Sequence, residues 1–313
     1  MASEVYSTFI VEDIKRHLDD VASKYVTYPK FVFLCGKGID SNQEDSYTKS
    51  NRGIIDAYLS KLNPDIKIVL SERIWEDAFD ENIDLLTFEE FLAEVSDAII
   101  LFVESPGSFC ELGAFTYANN LFSDKLIIVM DEKYKDSKSF ISTGPVLKAK
   151  EDGSQIIYAK VNDGALLDSS DLRRSILDLV RTFSKKQSAI NKREINKESE
   201  KVYISSFIIE MVELLKLVEP ISKSDLIALY KRVKGFDSFT LVKRDASTFN
   251  REIKLHYIWK LLSEAKIISE DKGIISLNDA NKSQSFMLNY QGKSFERQRS
   301  RIICRKYRYG EKV

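Results

Sequence analysis

Along the first half of the chain, short apolar runs alternate with stretches of helical apolar spacing. The runs fall at residues 31–35, 66–70, 98–103, 126–130 and 155–159. Between them, Ile54, Ile55, Tyr58, Leu59 and Leu62 form one helical stripe, residues 85–95 another, and Leu112, Phe115, Ala118 and Phe122 a third, within a helix expected over 110–122. Strands that are apolar at nearly every position are covered on both faces, and their alternation with helices predicts a parallel, doubly wound sheet. Val5, Phe9, Ile10, Ile14, Leu18 and Val21 predict a helix ahead of the first strand, and residues 171–186 one after the last.

The second half has a different rhythm. Residues 202–217 are strongly amphipathic and stop at Glu219-Pro220; a short helix through Leu226, Leu229 and Tyr230 follows. Phe249, Ile253, Tyr257, Leu261 and Leu262 keep helical phase over 247–265, and 266–268 with 272–277 read as a small hairpin. Three helices and a hairpin are the layout of a winged helix. The reading is therefore α/β followed by an α-rich, winged-helix-like domain, with boundaries at 1–165, a helical linker over 166–200, 201–290, and a basic tail over 291–313.

Composition sharpens this division. The 313 residues are 43% hydrophobic and 30% charged, enough for a sizeable core, and the net charge of −1 hides a split. Residues 1–160 carry 17 Lys+Arg against 28 Asp+Glu, and 161–313 carry 30 against 20. An acidic body joined to a basic module suggests two jobs, the basic one suited to nucleic acid or an acidic partner. The tail sets Arg297, Arg299, Arg301 and Arg305 among Phe295, Tyr307 and Tyr309, cations for phosphates beside rings for stacking; a solvated helix would carry the same charges. No apolar run reaches the roughly 18 residues of a membrane span, and the N-terminal stretch lacks a signal-peptide core, so a cytoplasmic protein is expected. Cys35, Cys110 and Cys304 are too scattered for a disulfide framework, and His17 and His256 too few for a His-based metal centre.

Chemistry concentrates where the strand 98–103 breaks at Ser105-Pro106-Gly107-Ser108 and re-enters a helix carrying Glu111. In an open parallel sheet ligands bind beyond the carboxyl ends of strands, where helix N-termini offer free N–H donors. Ser108-Phe-Cys-Glu111 also spells a capping box, in which the Glu merely satisfies a helix end. A carboxylate in a first helical turn would be held ionised by the dipole. Backbone N–H groups and hydroxyls at Gly36, Ser105, Gly107 and Ser108 are candidate contacts for phosphate or ribose. Arg52 is either a phosphate ligand or a solvated helix arginine. Glu72, just past the second strand, and Glu104 are further carboxylates on the correct edge. Asp97 sits at the wrong end of its strand. Gly36-Lys-Gly38 lacks the third glycine of a dinucleotide fingerprint, and no P-loop is present, which excludes those classes.

The strand ending Phe-Leu-Cys-Gly36, the block from Asp97 to Phe115 with Glu104-Ser-Pro-Gly-Ser-Phe-Cys-Glu-Leu-Gly-Ala-Phe115, and Ser139-Phe-Ile-Ser-Thr-Gly-Pro145 together resemble the nucleoside deoxyribosyltransferase-like effectors of type II retrons. The resemblance covers about residues 8–160; beyond that it holds in layout more than in residues. It implies an N-glycosidase that cleaves a base–ribose bond with Glu111 as its catalytic carboxylate, without a cofactor and with NAD as substrate. It also implies a toxin of anti-phage defence, held in an oligomeric complex with a retron reverse transcriptase and its branched RNA–DNA (msDNA). A catalytically silent nucleotide sensor controlling a DNA-binding module is the competing expectation.

Overall fold

The computed structural model describes residues 8–21, 30–38, 44–78, 84–117, 122–161, 164–183, 201–242 and 255–278. The chain divides into two compact units: residues 29–185, and residues 1–28 together with 186–313. The helix expected to open the α/β domain, α1 (Thr8–Val21), groups with the second unit, where it packs on helices of the C-terminal half. The division thus falls at residues 28/29 and 185/186, where the sequence reading set 1–165 and 166–200. The apolar stripe of α1 fits any core, and only long-range packing decides which one it joins.

The α/β unit runs β1 (Lys30–Cys35), α2 (Glu44–Lys49), α3 (Asn51–Leu62), β2 (Ile66–Val69), α4 (Ser71–Ala78), α5 (Leu85–Val95), β3 (Ala98–Val103), α6 (Pro106–Tyr117), β4 (Leu126–Asp131), α7 (Phe140–Thr143), α8 (Pro145–Glu151), β5 (Gln155–Ala159) and α9 (Ser170–Phe183). The five strands form one parallel sheet in the order β2-β1-β3-β4-β5. Central β1 and β3 are buried at every position, whereas edge strands β2 and β5 are partly open. Val32, Leu34, Ile100 and Phe102 share a core cluster with Ile55 and Leu59 of α3 and with Leu172 and Ile176 of α9. On the opposite pleat, Phe33 meets Phe115 of α6 edge to face, ring centroids 6.3 Å apart. Each such buried side chain contributes roughly 1.5–3 kcal/mol, so the doubly covered sheet is the stable frame on which the loops are hung.

Local signals fix the helix starts. Ser50 caps α3 by accepting the Gly53 N–H at 3.0 Å, and Asp84 caps α5 by accepting the Thr87 N–H at 2.8 Å. Helices α2, α4, α7 and α8 arise where the apolar spacing predicts no helix. The helix expected over 110–122 begins earlier, at Pro106, a consequence taken up below.

In the other unit the order is α1, β6 (Lys201–Tyr203), α10 (Ile204–Val218), β7 (Ile221–Ser222), α11 (Lys223–Lys234), β8 (Thr240–Val242), α12 (Leu255–Glu264), β9 (Ile268–Asp271) and β10 (Ile274–Leu277). The hairpin β9–β10 is extended antiparallel by β7, giving the order β7-β10-β9, and β6 pairs with β8. Tyr230 donates to Glu210 Oε2 at 2.8 Å beneath a cluster with Phe207 and Phe239. Residues 247–254 and the tail with Arg297, Arg299, Arg301 and Arg305 lie outside the described residues, as does the expected linker from residue 184 to 200, whereas its first half is α9 of the α/β unit. Among the described residues no helix is long and apolar enough to cross a membrane.

Candidate active site at the β1–β3 switch point

The strand order reverses between β1 and β3, and the crevice beyond their carboxyl ends is where open α/β sheets place ligands. Two loops meet there, Gly36-Lys37 after β1 and Glu104-Ser105 after β3. A Cβ on Gly36 would lie 3.0 Å from Glu104 Oε1 and 3.3 Å from Phe102 Cβ, so glycine permits the close approach.

Glu104 joins the loops. Its Oε1 accepts the Lys37 N–H at 3.1 Å and its Oε2 accepts Asn51 Nδ2 at 2.6 Å, while Asn51 also donates to the Val161 carbonyl beyond β5. Both oxygens are thus engaged in shaping the rim, and Glu104 acts here as a brace between three elements.

Arg52 is neither solvated nor open to solvent. Only 2% exposed, it donates Nη1 to Glu72 Oε2 at 3.0 Å and Nη2 to Glu72 Oε1 at 2.6 Å, and Nη2 also reaches the Lys37 carbonyl at 2.6 Å. Two residues expected as separate substrate contacts form one ion pair with each other. The reading of Arg52 as a solvated helix residue is corrected.

Ser105 and Ser108 cap α6 reciprocally. Ser105 Oγ accepts the Ser108 N–H at 3.2 Å; Ser108 Oγ accepts the N–H groups of Ser105 and Glu104 at 2.8 and 2.9 Å and donates to the Ser105 carbonyl at 2.9 Å. Ser108 is fully buried, so its hydroxyl serves the turn and not a ligand, whereas Pro106 and Gly107 are exposed. The capping box therefore pairs Ser105 with Ser108, one turn ahead of the expected Ser108–Glu111 pair. The bland role for Glu111 is removed.

Glu111 consequently stands in the second turn of α6, and the expectation of a first-turn carboxylate held ionised by the helix end is overturned. Its Oε2 is buried without a hydrogen-bond partner among the described residues. Burial pushes its carboxyl up to about 8, helped by the like charges of Glu89 and Glu72 and opposed by Arg52. Glu89 on α5, which sequence reasoning missed, is itself 7% exposed and raised to about 7 by burial, with its Oε1 accepting Ser71 Oγ at 3.1 Å. A signal existed: Glu89 falls three residues before Leu92 and four before Ala93, on the apolar stripe of its helix. Cys35, at the end of β1, feels the same cluster; burial and the charges of Glu111 and Glu89 keep it a neutral thiol. Asp97 accepts Lys30 Nζ and the Phe31 N–H, each at 3.0 Å, at the amino edge of the sheet, away from the crevice.

The arrangement places a carboxyl group with an unused, buried oxygen one helical turn beyond the carboxyl end of β3, where Glu104 and Glu72 tie the neighbouring loops together. Such a group can stabilise or trap a cationic sugar carbon. Comparison with known proteins gives this geometry a context. The family model described as the STM3845 retron effector protein matches residues 48–270. The "Retron Ec86 putative ribosyltransferase/DNA-binding protein" of Escherichia coli is 30% identical over 249 residues, covering 77% of this chain and 74% of its own. The Retron Ec73 protein of the same description, also from Escherichia coli, is 30% identical over 218 residues, covering 67% of this chain and 68% of its own.

Proposed function

The chain belongs to the STM3845 retron effector family, and we propose that its α/β unit, of nucleoside deoxyribosyltransferase-like fold, is an N-glycosidase that cleaves the base–ribose bond of a nucleotide, NAD above others, with release of nicotinamide. The observation that carries this reading is the unpartnered Oε2 of Glu111 at the switch point, on a helix whose capping is done entirely by other residues. The ribosyltransferase in the relatives' names is compatible with the same bond chemistry.

In the reaction the C1′–N bond breaks with its electron pair going to the departing ring nitrogen. The ionised Glu111 carboxylate faces the positive charge that develops at C1′ and either steadies it or bonds to it; water then adds to C1′ and gives up a proton. A neutral base needs a proton to leave, whereas nicotinamide departs from a ring that is already cationic. The two histidines of the chain, His17 and His256, sit in the other unit, on α1 and α12. That favours a leaving group needing no imidazole acid.

For the other unit we read the order β7-β10-β9, with α11 and α12 between β7 and the hairpin, as a winged helix. The relatives' DNA-binding label and the arginine-rich tail support a role in holding a retron nucleoprotein, the reverse transcriptase and its branched RNA–DNA, which restrains the toxin. Incubating the full chain with NAD and a panel of nucleosides and nucleoside monophosphates tests the enzyme. Release of nicotinamide that vanishes in Glu111→Gln supports it. Release of bases with NAD intact overturns NAD as the substrate, and no release from any of them leaves the sensor reading.

A further inference from the structure

Arg52, the residue expected to meet a phosphate, is committed elsewhere: Glu72 and the Lys37 carbonyl take both its terminal nitrogens. What that commitment holds in place is Lys37. Its carbonyl accepts Arg52 Nη2 at 2.6 Å and its N–H donates to Glu104 Oε1 at 3.1 Å, so charged side chains from α3 and from the loop after β3 clamp the peptide groups on either side of one Cα. The Lys37 side chain between those clamps is exposed, and its ammonium makes no ion pair or hydrogen bond among the described residues. Among those residues, a Cβ on neighbouring Gly38 would meet nothing within 4 Å, and one on Gly107, at the start of α6, only Ser105 Oγ at 3.9 Å, so both rims of the switch point border open space. Glu72, Glu104 and Glu111 belong to this same end of the sheet, and the charge of Arg52 is matched by Glu72. An anion brought among those carboxyls needs a cation beside it. In the described parts of the two switch-point loops, Lys37 is that cation.

Resting on the glycosidase reading above, we propose that Lys37 determines the substrate class of that site: its ammonium binds the phosphate on C5′, so the enzyme takes 5′-phosphorylated nucleosides and dinucleotides in preference to free nucleosides. A nucleotide is anionic at C5′ and, when its base is a pyridinium, cationic at C1′. The ribose spans the crevice with its phosphate toward the β1 loop and C1′ toward Glu111 on the β3 side. Turned around, the phosphate would meet the carboxyl and the pyridinium the ammonium, so the two charges fix the direction in which the substrate lies. An ammonium acts on a phosphate as a point charge and needs no forked geometry, which suits a group whose oxygens rotate. The clamps matter for the strength of the contact. A lysine on a loose loop loses backbone as well as side-chain freedom on binding, and here the fold has already removed the backbone part. Phosphate binding, remote from the bond that breaks, then serves to hold C1′ at the carboxylate.

The test uses the full chain and two readouts. Nicotinamide mononucleotide and nicotinamide riboside share the bond that breaks and the leaving group, and differ by the 5′-phosphate alone, so the ratio of their kcat/KM values reads phosphate recognition. That ratio is expected to favour the mononucleotide in the parent and to fall by about 10- to 100-fold in Lys37→Ala, the loss of one charge-assisted contact. Lys37→Arg keeps most of it, and added salt lowers the ratio in the parent more than in Lys37→Ala. Because the clamps use backbone atoms, the thermal midpoint of Lys37→Ala is expected to match the parent's; Lys37→Gln, which keeps the stem, serves if it does not. Calorimetric binding of carba-NAD, which keeps the pyrophosphate but resists cleavage, gives the second readout and weakens by a similar factor in the same variants. Cleavage by the parent with a ratio or a carba-NAD affinity that these variants leave unmoved overturns the role of Lys37 alone. Binding of carba-NAD that depends on Lys37, with no cleavage of any nucleotide, overturns the glycosidase reading and keeps the phosphate site. Neither binding nor cleavage overturns both.

Discussion

Arg52 grips Glu72 with both terminal nitrogens, at 3.0 and 2.6 Å, and through the Lys37 carbonyl ties that pair to the loop after β1. Three separate segments, the start of α3, the head of α4 and the β1 loop, are thereby fixed to one guanidinium. Arg52→Ala is expected to lower stability by a few kcal/mol, because it strands Glu72 and leaves a cavity. Arg52→Lys recovers little, since an ammonium cannot fork onto both oxygens. In urea unfolding the double change Arg52→Ala/Glu72→Ala costs clearly less than the sum of the two single changes.

The raised carboxyls make stability pH-dependent in an unusual direction. Glu111 and Glu89 ionise near 4.5 in the unfolded chain but at about 8 and about 7 when folded, so between these values the folded state binds more protons and stability falls as pH rises. Their joint contribution is complete below about pH 4.5 and is lost on passing pH 8, on the order of a few kcal/mol. Urea midpoints measured from pH 5 to pH 9 are expected to decline less steeply in Glu111→Gln and in Glu89→Gln than in the parent.

Ser108 is the hub of the turn that launches α6. Ser108→Ala removes the acceptor for two backbone N–H groups in a fully buried site and is expected to cost about 1–2 kcal/mol. Because the same turn aims Glu111, the proposed glycosidase activity is expected to drop together with the thermal midpoint. A hydroxyl that contacted substrate would instead raise KM with the midpoint unchanged.

Gly53 lets α2 and α3 meet. A Cβ there would come within 2.0 Å of the Tyr47 carbonyl oxygen, a backbone atom that cannot step aside without moving α2. Gly53→Ala is expected to destabilise by more than the gain in helix propensity, about 1 kcal/mol, could offset. A lowered thermal midpoint checks it.

Neutralising Arg297, Arg299, Arg301 and Arg305 together is expected to weaken binding to a structured RNA–DNA and to flatten its dependence on salt, measured as the slope of log affinity against log salt concentration. An unchanged slope assigns the tail to contacts other than phosphate.

How far the amino-acid sequence foretold these features depended on how local each one is. All five parallel strands were legible because strands covered on both faces are apolar almost throughout. Gly36, Glu104, Ser105 and Glu111 were placed at the correct sheet edge because that edge follows from strand direction. The pairing of Arg52 with Glu72 was not legible, since it joins residues twenty apart through the fold and each alone resembles a surface charge. Short α4 and α7 carry too few apolar residues for a periodic signal. The ionisation of Glu111 was misjudged because the helix starts at Pro106, which spends the helix-end donors on Ser105 and Ser108 before Glu111 is reached.

The grouping of α1 with residues 186–313 makes the α/β unit an insertion, entered near residue 29 and left near residue 185. Exchanging that module between relatives therefore takes two splice junctions, and a cut placed only after it would separate the first helix from the α10 and α11 surfaces it covers.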